Sequence, residues 1–184
     1  MRWVALALAV TILVVAGLSS ERTILIVWES AGINFTLRTA AVIVADGQVL
    51  VTRLPDQDFW YLPGGRVEMG EPSDIALRRE LEEEIGVAAE VGRLLWVVEN
   101  FYGTQPRQHE LGLYYAASTP TLRSVWDGTG IYRTVDEAGQ PLQFRRVPLG
   151  DLQSVRLMPP FLQTALLNLP DHPKHVITRQ EEGA

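Results

Sequence analysis

The chain has 184 residues, 47% of them hydrophobic, and a formal net charge of −6. That is enough for one domain with its own core, and it excludes a wholly disordered chain. There is no cysteine, which excludes disulfides, zinc–thiolate sites and cysteine nucleophiles. The acidic balance argues against DNA or long RNA as partner, because such surfaces are normally basic; a small phosphorylated ligand stays compatible if local cations meet its phosphates.

Residues 3–18 form an uninterrupted apolar run, with Arg2 before it and Ser19, Ser20, Glu21 and Arg22 after it. The run is shorter than the roughly 20 residues of a full span. Three readings stay open: a membrane anchor or uncleaved signal, a cleaved signal with Gly17 and Ser19 as the small residues, or a start assigned too early or a packed N-terminal helix. The last places the protein in the cytoplasm; the others make it membrane-anchored or exported. An anchor with its amine and Arg2 inside would put the domain outside. Residues 1–30 are therefore set apart from a domain over 31–170 and a polar tail over 171–184. The domain is expected to stand without residues 1–30.

In chain order, 24–28 is a short strand. Residues 39–44 and 49–53 flank Asp46-Gly47 and predict a tight hairpin. Another strand, 59–62, stops at Pro63-Gly64-Gly65. The period then changes to that of a helix over 73–85, with Ser73 as cap, Gly86 as left-handed stop, and Leu77, Leu81 and Ile85 as the buried stripe. Strands follow at 88–99 and 110–118, a loop at 124–140, a strand at 142–147 and a helix at 160–169. This order predicts an α/β fold, a mixed β-sheet sandwiched between α-helices.

Three carboxylates of the helix, Glu80, Glu83 and Glu84, stand at i, i+3 and i+4, so they share a face. Like charges at that spacing cost a few tenths of a kcal/mol per pair. A plain solvated acidic helix is one explanation. A Mg²⁺ or Mn²⁺ site is the other, since hard oxygen ligands suit those ions and the ion relieves the repulsion. Rotation of about 100° per residue sets this face beside the apolar stripe, near the sheet. The preceding Leu62-Pro63-Gly64-Gly65 is either an ordinary turn or a place where backbone approaches a ligand closely and lends a carbonyl.

The stretch 65–87 decides between them. Gly65, five residues, Glu71, seven residues, then Arg79-Glu80-Leu81-Glu82-Glu83-Glu84-Ile85-Gly86-Val87 fills every fixed position of the Nudix box. The chain resembles the Nudix hydrolases on these residues. Outside the box, Trp60 to Gly65, Glu99-Asn100-Phe101 and His109-Glu110-Leu111-Gly112 are similar to segments of a bacterial subgroup of undefined substrate.

The resemblance implies a Mg²⁺- or Mn²⁺-dependent enzyme that cuts a diphosphate bond by water attack on phosphorus. It implies Glu80, Glu83, Glu84 and the Gly64 carbonyl as metal ligands. Arg79, on the far side of the helix, and Glu71 would fix the loop. The general base stays open between Glu110 and a box glutamate, Glu83 first. His109 is read as an orienting or surface residue. Trp60, Phe101 and Tyr102 are candidates to stack a base, and Arg53, Arg66 and Arg107 to meet phosphates; for the strand aromatics a core role is the ordinary alternative.

The implied substrate is a nucleoside diphosphate linked to another moiety. A nucleoside triphosphate cleaned from the pool is the rival, and a non-catalytic nucleotide sensor a more distant one, since sensors lose box glutamates and carry a DNA-binding domain. An isomerase of this fold would need a cysteine, and mRNA decapping a basic surface. No nucleic-acid partner is expected; membrane contact through residues 3–18 and a homodimer are left open.

Overall fold

The computed structural model describes residues 25–120, 130–136 and 138–180. The apolar run at 3–18, part of the loop at 124–140 and the last four residues lie outside them.

Two sheets make the frame. The larger is built from β1 (Val27–Ser30), β2 (Ile33–Val42), β6 (Arg107–Ser118), β5 (Glu90–Tyr102) and β9 (Lys174–Arg179), in that order across the sheet. β2 runs parallel to β6, and β5 parallel to β9; the other pairs are antiparallel. The smaller is antiparallel, in the order β3 (Val44–Ala45), β4 (Gln48–Arg53), β8 (Pro141–Pro148) and β7 (Tyr132–Val135). Both parallel pairings join segments far apart in sequence, which is the expected signature of a mixed sheet.

The hairpin at Asp46-Gly47 forms as expected. Both residues take positive φ, 52° and 71°, as a two-residue turn matched to the strand twist requires. The helix α1 (Ser73–Ile85) also forms over the expected range, and Gly86 ends it at φ 75°, its N–H donating to Glu82 O. Leu77 and Leu81 are fully buried and Ile85 nearly so, against Ala41, Ile43, Leu50 and Phe144. Each such side chain contributes about 2 kcal/mol on burial. The other side of the larger sheet packs Trp96, Val98 and Tyr114 against Leu152 and Val155, then Leu162 and Leu166. These come from a 3-10 turn, Leu149–Ser154, and the short helix α2 (Leu162–Ala165). Helical segments therefore cover both faces, and the expected sandwich stands.

Several expectations need correction. Ser73 does not cap α1: Pro72 occupies the cap position, and the Ser73 hydroxyl instead meets Tyr115 Oη at 2.7 Å. Residues 59–62 are not a full strand; they touch neighbours through single bridges, Thr52 to Tyr61 and Trp60 to Leu157. The loop at 124–140 contains β7. The last helix shrinks to α2. The tail is structured: β9 closes one edge of the larger sheet, and Gln180 N–H continues the pairing onto Phe101 O. At the other end, a boundary at residue 31 would split the β1–β2 hairpin. Leu25 bridges to Glu68 and Ile26 N–H donates to Val67 O, so the ordered fold reaches back past residue 30. Among the described residues no helix is long and apolar enough to cross a membrane.

Candidate active site

The segment Pro63–Val67 is laid along β2 by backbone hydrogen bonds: Ala41 N–H to Pro63 O at 2.8 Å, Thr39 N–H to Gly65 O at 2.9 Å and Val67 N–H to Leu37 O at 3.0 Å. Two glycines make this possible. Gly64 has φ 135°, and a Cβ there would lie 2.3 Å from Thr39 O. A Cβ on Gly65 would fall 2.0 Å from the carboxyl carbon of Glu80. The bare backbone at Gly65 is therefore the cradle in which the Glu80 carboxylate rests. Gly65→Ala is expected to displace that carboxylate and lower kcat/KM at least about tenfold, whereas Gly150→Ala, with open space around it and no left-handed φ, should stay near wild type; steady-state kinetics on the two variants checks it.

Glu84, one turn further, points into the same place and is 9% exposed. Its carboxyl is pushed up to about 8, first by burial and then by the charge of Glu80; Arg38 and the Gly64 N–H pull the other way. Its Oε2 is sealed from solvent and has no hydrogen-bond partner. A buried carboxylate oxygen left unpaired costs several kcal/mol if ionised, so it needs a proton or a cation. Glu80 is raised for the same leading reason, burial, opposed by Arg79.

Arg79 is the clamp of the loop. Its Nε and Nη2 reach the two oxygens of Glu71, both at 3.0 Å, and Nη2 also donates to Arg66 O at 3.1 Å. These hydrogen bonds hold Glu71 below the usual carboxylate range, against some desolvation. The pairing with Glu71 is as expected. The far-side placement is not: Nη1 also reaches Glu80 Oε1 at 3.1 Å and Glu83 Oε2 at 3.2 Å. Arg79 therefore sits under the acidic face and neutralises part of it. Glu83 is drawn onto this arginine and does not line the cleft.

The cleft above these residues has a volume of roughly 640 Å³. Glu80, Glu84, Gly64 and Gly65 form one end of it. Glu110, on β6, opens into it and is 9% exposed, with Arg38 Nε at 3.5 Å and Tyr102 Oη at 3.5 Å. Tyr102 and Arg66, two of the candidate substrate contacts, also line it.

Four expected contacts are elsewhere. Trp60 is 6% exposed, part of the main core, and its ring carries Arg53 at 4.4 Å. Arg53 is spent on that ring, on Gln143 Oε1 at 3.0 Å and on Gln57 O. Phe101 points to the opposite side of the sheet from Tyr102, because neighbours on a strand alternate. It stacks on His109 at 4.3 Å and meets Arg179 at 5.4 Å. Arg107 is exposed at the start of β6, outside the cleft.

Other cleft residues were not foreseen. Arg38 joins Glu110 to the Gly64 carbonyl, donating to it at 3.2 Å. Tyr61 lines the wall with its hydroxyl pushed up to about 12 by burial and by Glu84. Asn100, Asp136 and Gln180 line the cleft as well. A charge set between Leu37 and the strand-like stretch from Thr39 was the one signal for Arg38.

The NUDIX domain model matches residues 35–158, which holds the glycine loop, the helix and Glu110 together. The chain belongs to the Nudix family. Among curated proteins it is similar to diphosphoinositol polyphosphate phosphohydrolase 2 of Rattus norvegicus, 40% identical over 82 residues, covering 45% of this chain and 42% of that one. It is also similar to the CTP pyrophosphohydrolase of Escherichia coli (strain K12), 35% identical over 92 residues, with 39% and 68% covered. The chain thus spans less than half the length of the rat relative. Among solved structures it resembles the MutT protein of Bacillus halodurans, with TM-score 0.56, 14% identity and coverage of 80% and 91%. An ADP-ribose pyrophosphatase from Streptococcus suis gives TM-score 0.52, 18% identity and coverage of 78% and 98%. At these identities the structural likeness speaks for the Nudix fold alone.

Proposed function

We propose that this chain is a divalent-metal-dependent pyrophosphohydrolase that cuts the diphosphate bond of a nucleoside diphosphate linked to another moiety. One observation carries the reading: the sealed, unpaired Glu84 Oε2 lies beside Glu80, beneath the Gly64-Gly65 backbone, at the end of a cleft large enough for a nucleotide-sized ligand.

The donor set fits Mg²⁺ or Mn²⁺. Glu80, Glu84 and the Gly64 carbonyl are hard oxygens, and Mg²⁺ is commonly held by one or two carboxylates with waters and substrate phosphates in its other positions. Such an ion supplies neutralisation of the diphosphate and acidification of water. The rest falls to side chains. Arg79 and Glu71 fix the loop that carries the glycines. Arg66, at the rim, meets the phosphates. Glu110 takes the proton of the attacking water. What favours Glu110 over Glu83 as base is position: Glu110 lines the cleft and Glu83 does not. Water oxygen bonds to one phosphorus, the bridging P–O bond breaks, and the bridging oxygen leaves with the other phosphate. The products are two phosphate monoesters and one proton, which Glu110 carries away.

The test is a screen of nucleoside diphosphate sugars and nucleoside triphosphates with Mg²⁺ and with Mn²⁺, products resolved by chromatography. The expected result is a nucleoside monophosphate plus a phosphorylated moiety, abolished by excess EDTA. Release of pyrophosphate from triphosphates alone would favour the pool-cleaning reading. Full turnover in EDTA would end the metal mechanism.

A further inference from the structure

Four polar side chains lie in register across the larger sheet: Thr36 on β2, Glu110 on β6, Asn100 on β5 and Thr178 on β9. Thr36, Glu110 and Asn100 are at most 9% exposed. Two residues further along the same face, β5 and β9 are apolar, with Val98 in the core cluster and Val176 packed against it, while Gly112 and Arg38 continue the row on β6 and β2. Burying an amide without its full set of hydrogen bonds costs about 1–3 kcal/mol, so a polar row continuing an apolar core calls for a reason.

Asn100 is 6% exposed and lines the cleft. Its Oδ1 accepts from Gln180 Nε2 at 3.3 Å, and Gln180 lines the cleft as well. Asn100 Nδ2 and Gln180 Oε1 have no partner among the described residues. The pair thus offers the cleft a donor and an acceptor side by side, both uncharged. Gln180 is held in place by its own N–H, which donates to Phe101 O at 2.9 Å. It follows β9, beyond the 35–158 match to the family.

Resting on the hydrolase reading above, we propose that Asn100 and Gln180 are specificity residues. They bind a neutral group of the substrate that presents an acceptor and a donor together. The chemistry is that of sugar hydroxyls or of a nucleobase amide edge.

The test uses the full chain with Mn²⁺ and two substrates, ADP-ribose and the methyl ester of ADP, which keeps the nucleoside but lacks the second sugar. Gln180→Ala removes a half-buried side chain just beyond β9 and leaves the sheet pairing intact. It is expected to raise KM for ADP-ribose about tenfold, the worth of one to two neutral hydrogen bonds, with kcat held within about twofold. Asn100→Asp, which trades the amide donor for a charge, should raise KM further. An effect on ADP-ribose alone means that the pair reads the second sugar; an effect on both substrates means that it reads the nucleoside. Unchanged KM on both, or a fall in kcat with KM unchanged, overturns the proposal. If the wild type cleaves neither compound and no substrate of the screen above, the hydrolase reading has failed, and calorimetric binding of ADP-ribose decides this one. A tenfold weaker Kd in Gln180→Ala upholds it, and no binding by the wild type overturns it.

Discussion

Replacing Glu84 by Gln is expected to lower kcat by about three orders of magnitude while leaving the fold intact. The substitution keeps shape and hydrogen-bonding size but removes the charge from a buried carboxylate of the cleft. Glu84 faces Gly64, Glu80 and Arg38, and its Oε2 is buried without a hydrogen-bond partner. Interactions that neutralise charge developing on phosphoryl oxygens are commonly worth several kcal/mol, and each 1.4 kcal/mol is tenfold in rate. Glu82 is the internal control: it is an exposed helix residue, and Glu82→Gln should turn over like wild type. Steady-state kinetics with Mn²⁺, with circular dichroism to verify the fold, separates the cases. Wild-type turnover by Glu84→Gln would remove Glu84 from the site.

The second large effect is on stability. With its carboxyl pushed up to about 8 from an ordinary 4.5, Glu84 keeps its proton in the folded state while the unfolded chain has already lost it. The folded state binds more protons across that window, so stability falls as pH rises. The contribution is intact below about pH 4.5 and is lost by the time pH passes 8. The cost is on the order of 4 kcal/mol for a shift of this size, or roughly 10 °C in a chain of this length. Metal-free Glu84→Gln should therefore melt roughly 10 °C above the metal-free wild type at pH 8.5, and alongside it at pH 4.5. Calorimetric scans in EDTA at the two pH values check this. Equal melting temperatures at pH 8.5 would show that Glu84 is not held in the buried, unpaired state argued for it. Together the two results would mark a residue kept at a cost to the fold for the sake of the reaction.

The helix and the glycine loop were legible in the sequence because their signals are local. Leu77, Leu81 and Ile85 repeat at the helical spacing, Gly86 ends the pattern, and Gly64-Gly65 precede it at a fixed distance. Asp46-Gly47 is likewise self-contained. What failed depends on pairing between distant segments. Phe101 and Tyr102 are neighbours, and only the register of β5 on β6 decides which of them faces the cleft. Trp60 has the size of a stacking residue, but its fate is set by Leu157, almost a hundred positions away. β9 is short and polar, so nothing in its own pattern shows that it closes the sheet parallel to β5. Gln180 follows from β9 and was invisible for the same reason. Arg79 was misplaced because a long side chain reaches past the angle assigned to its Cα: from one position it spans Glu71, Glu80 and Glu83.

The central claim is that Glu80 and Glu84 make a cation site that works on a diphosphate. Its most direct measurement is a Mn²⁺ titration of the metal-free protein followed by electron paramagnetic resonance, on wild type and Glu84→Gln, each with and without ADP-ribose. The account predicts that wild type takes up Mn²⁺, more tightly when ADP-ribose is present because its phosphates complete the coordination, and that Glu84→Gln binds at least about tenfold more weakly. Equal binding by the two proteins, or none by the wild type with the diphosphate present, would contradict it.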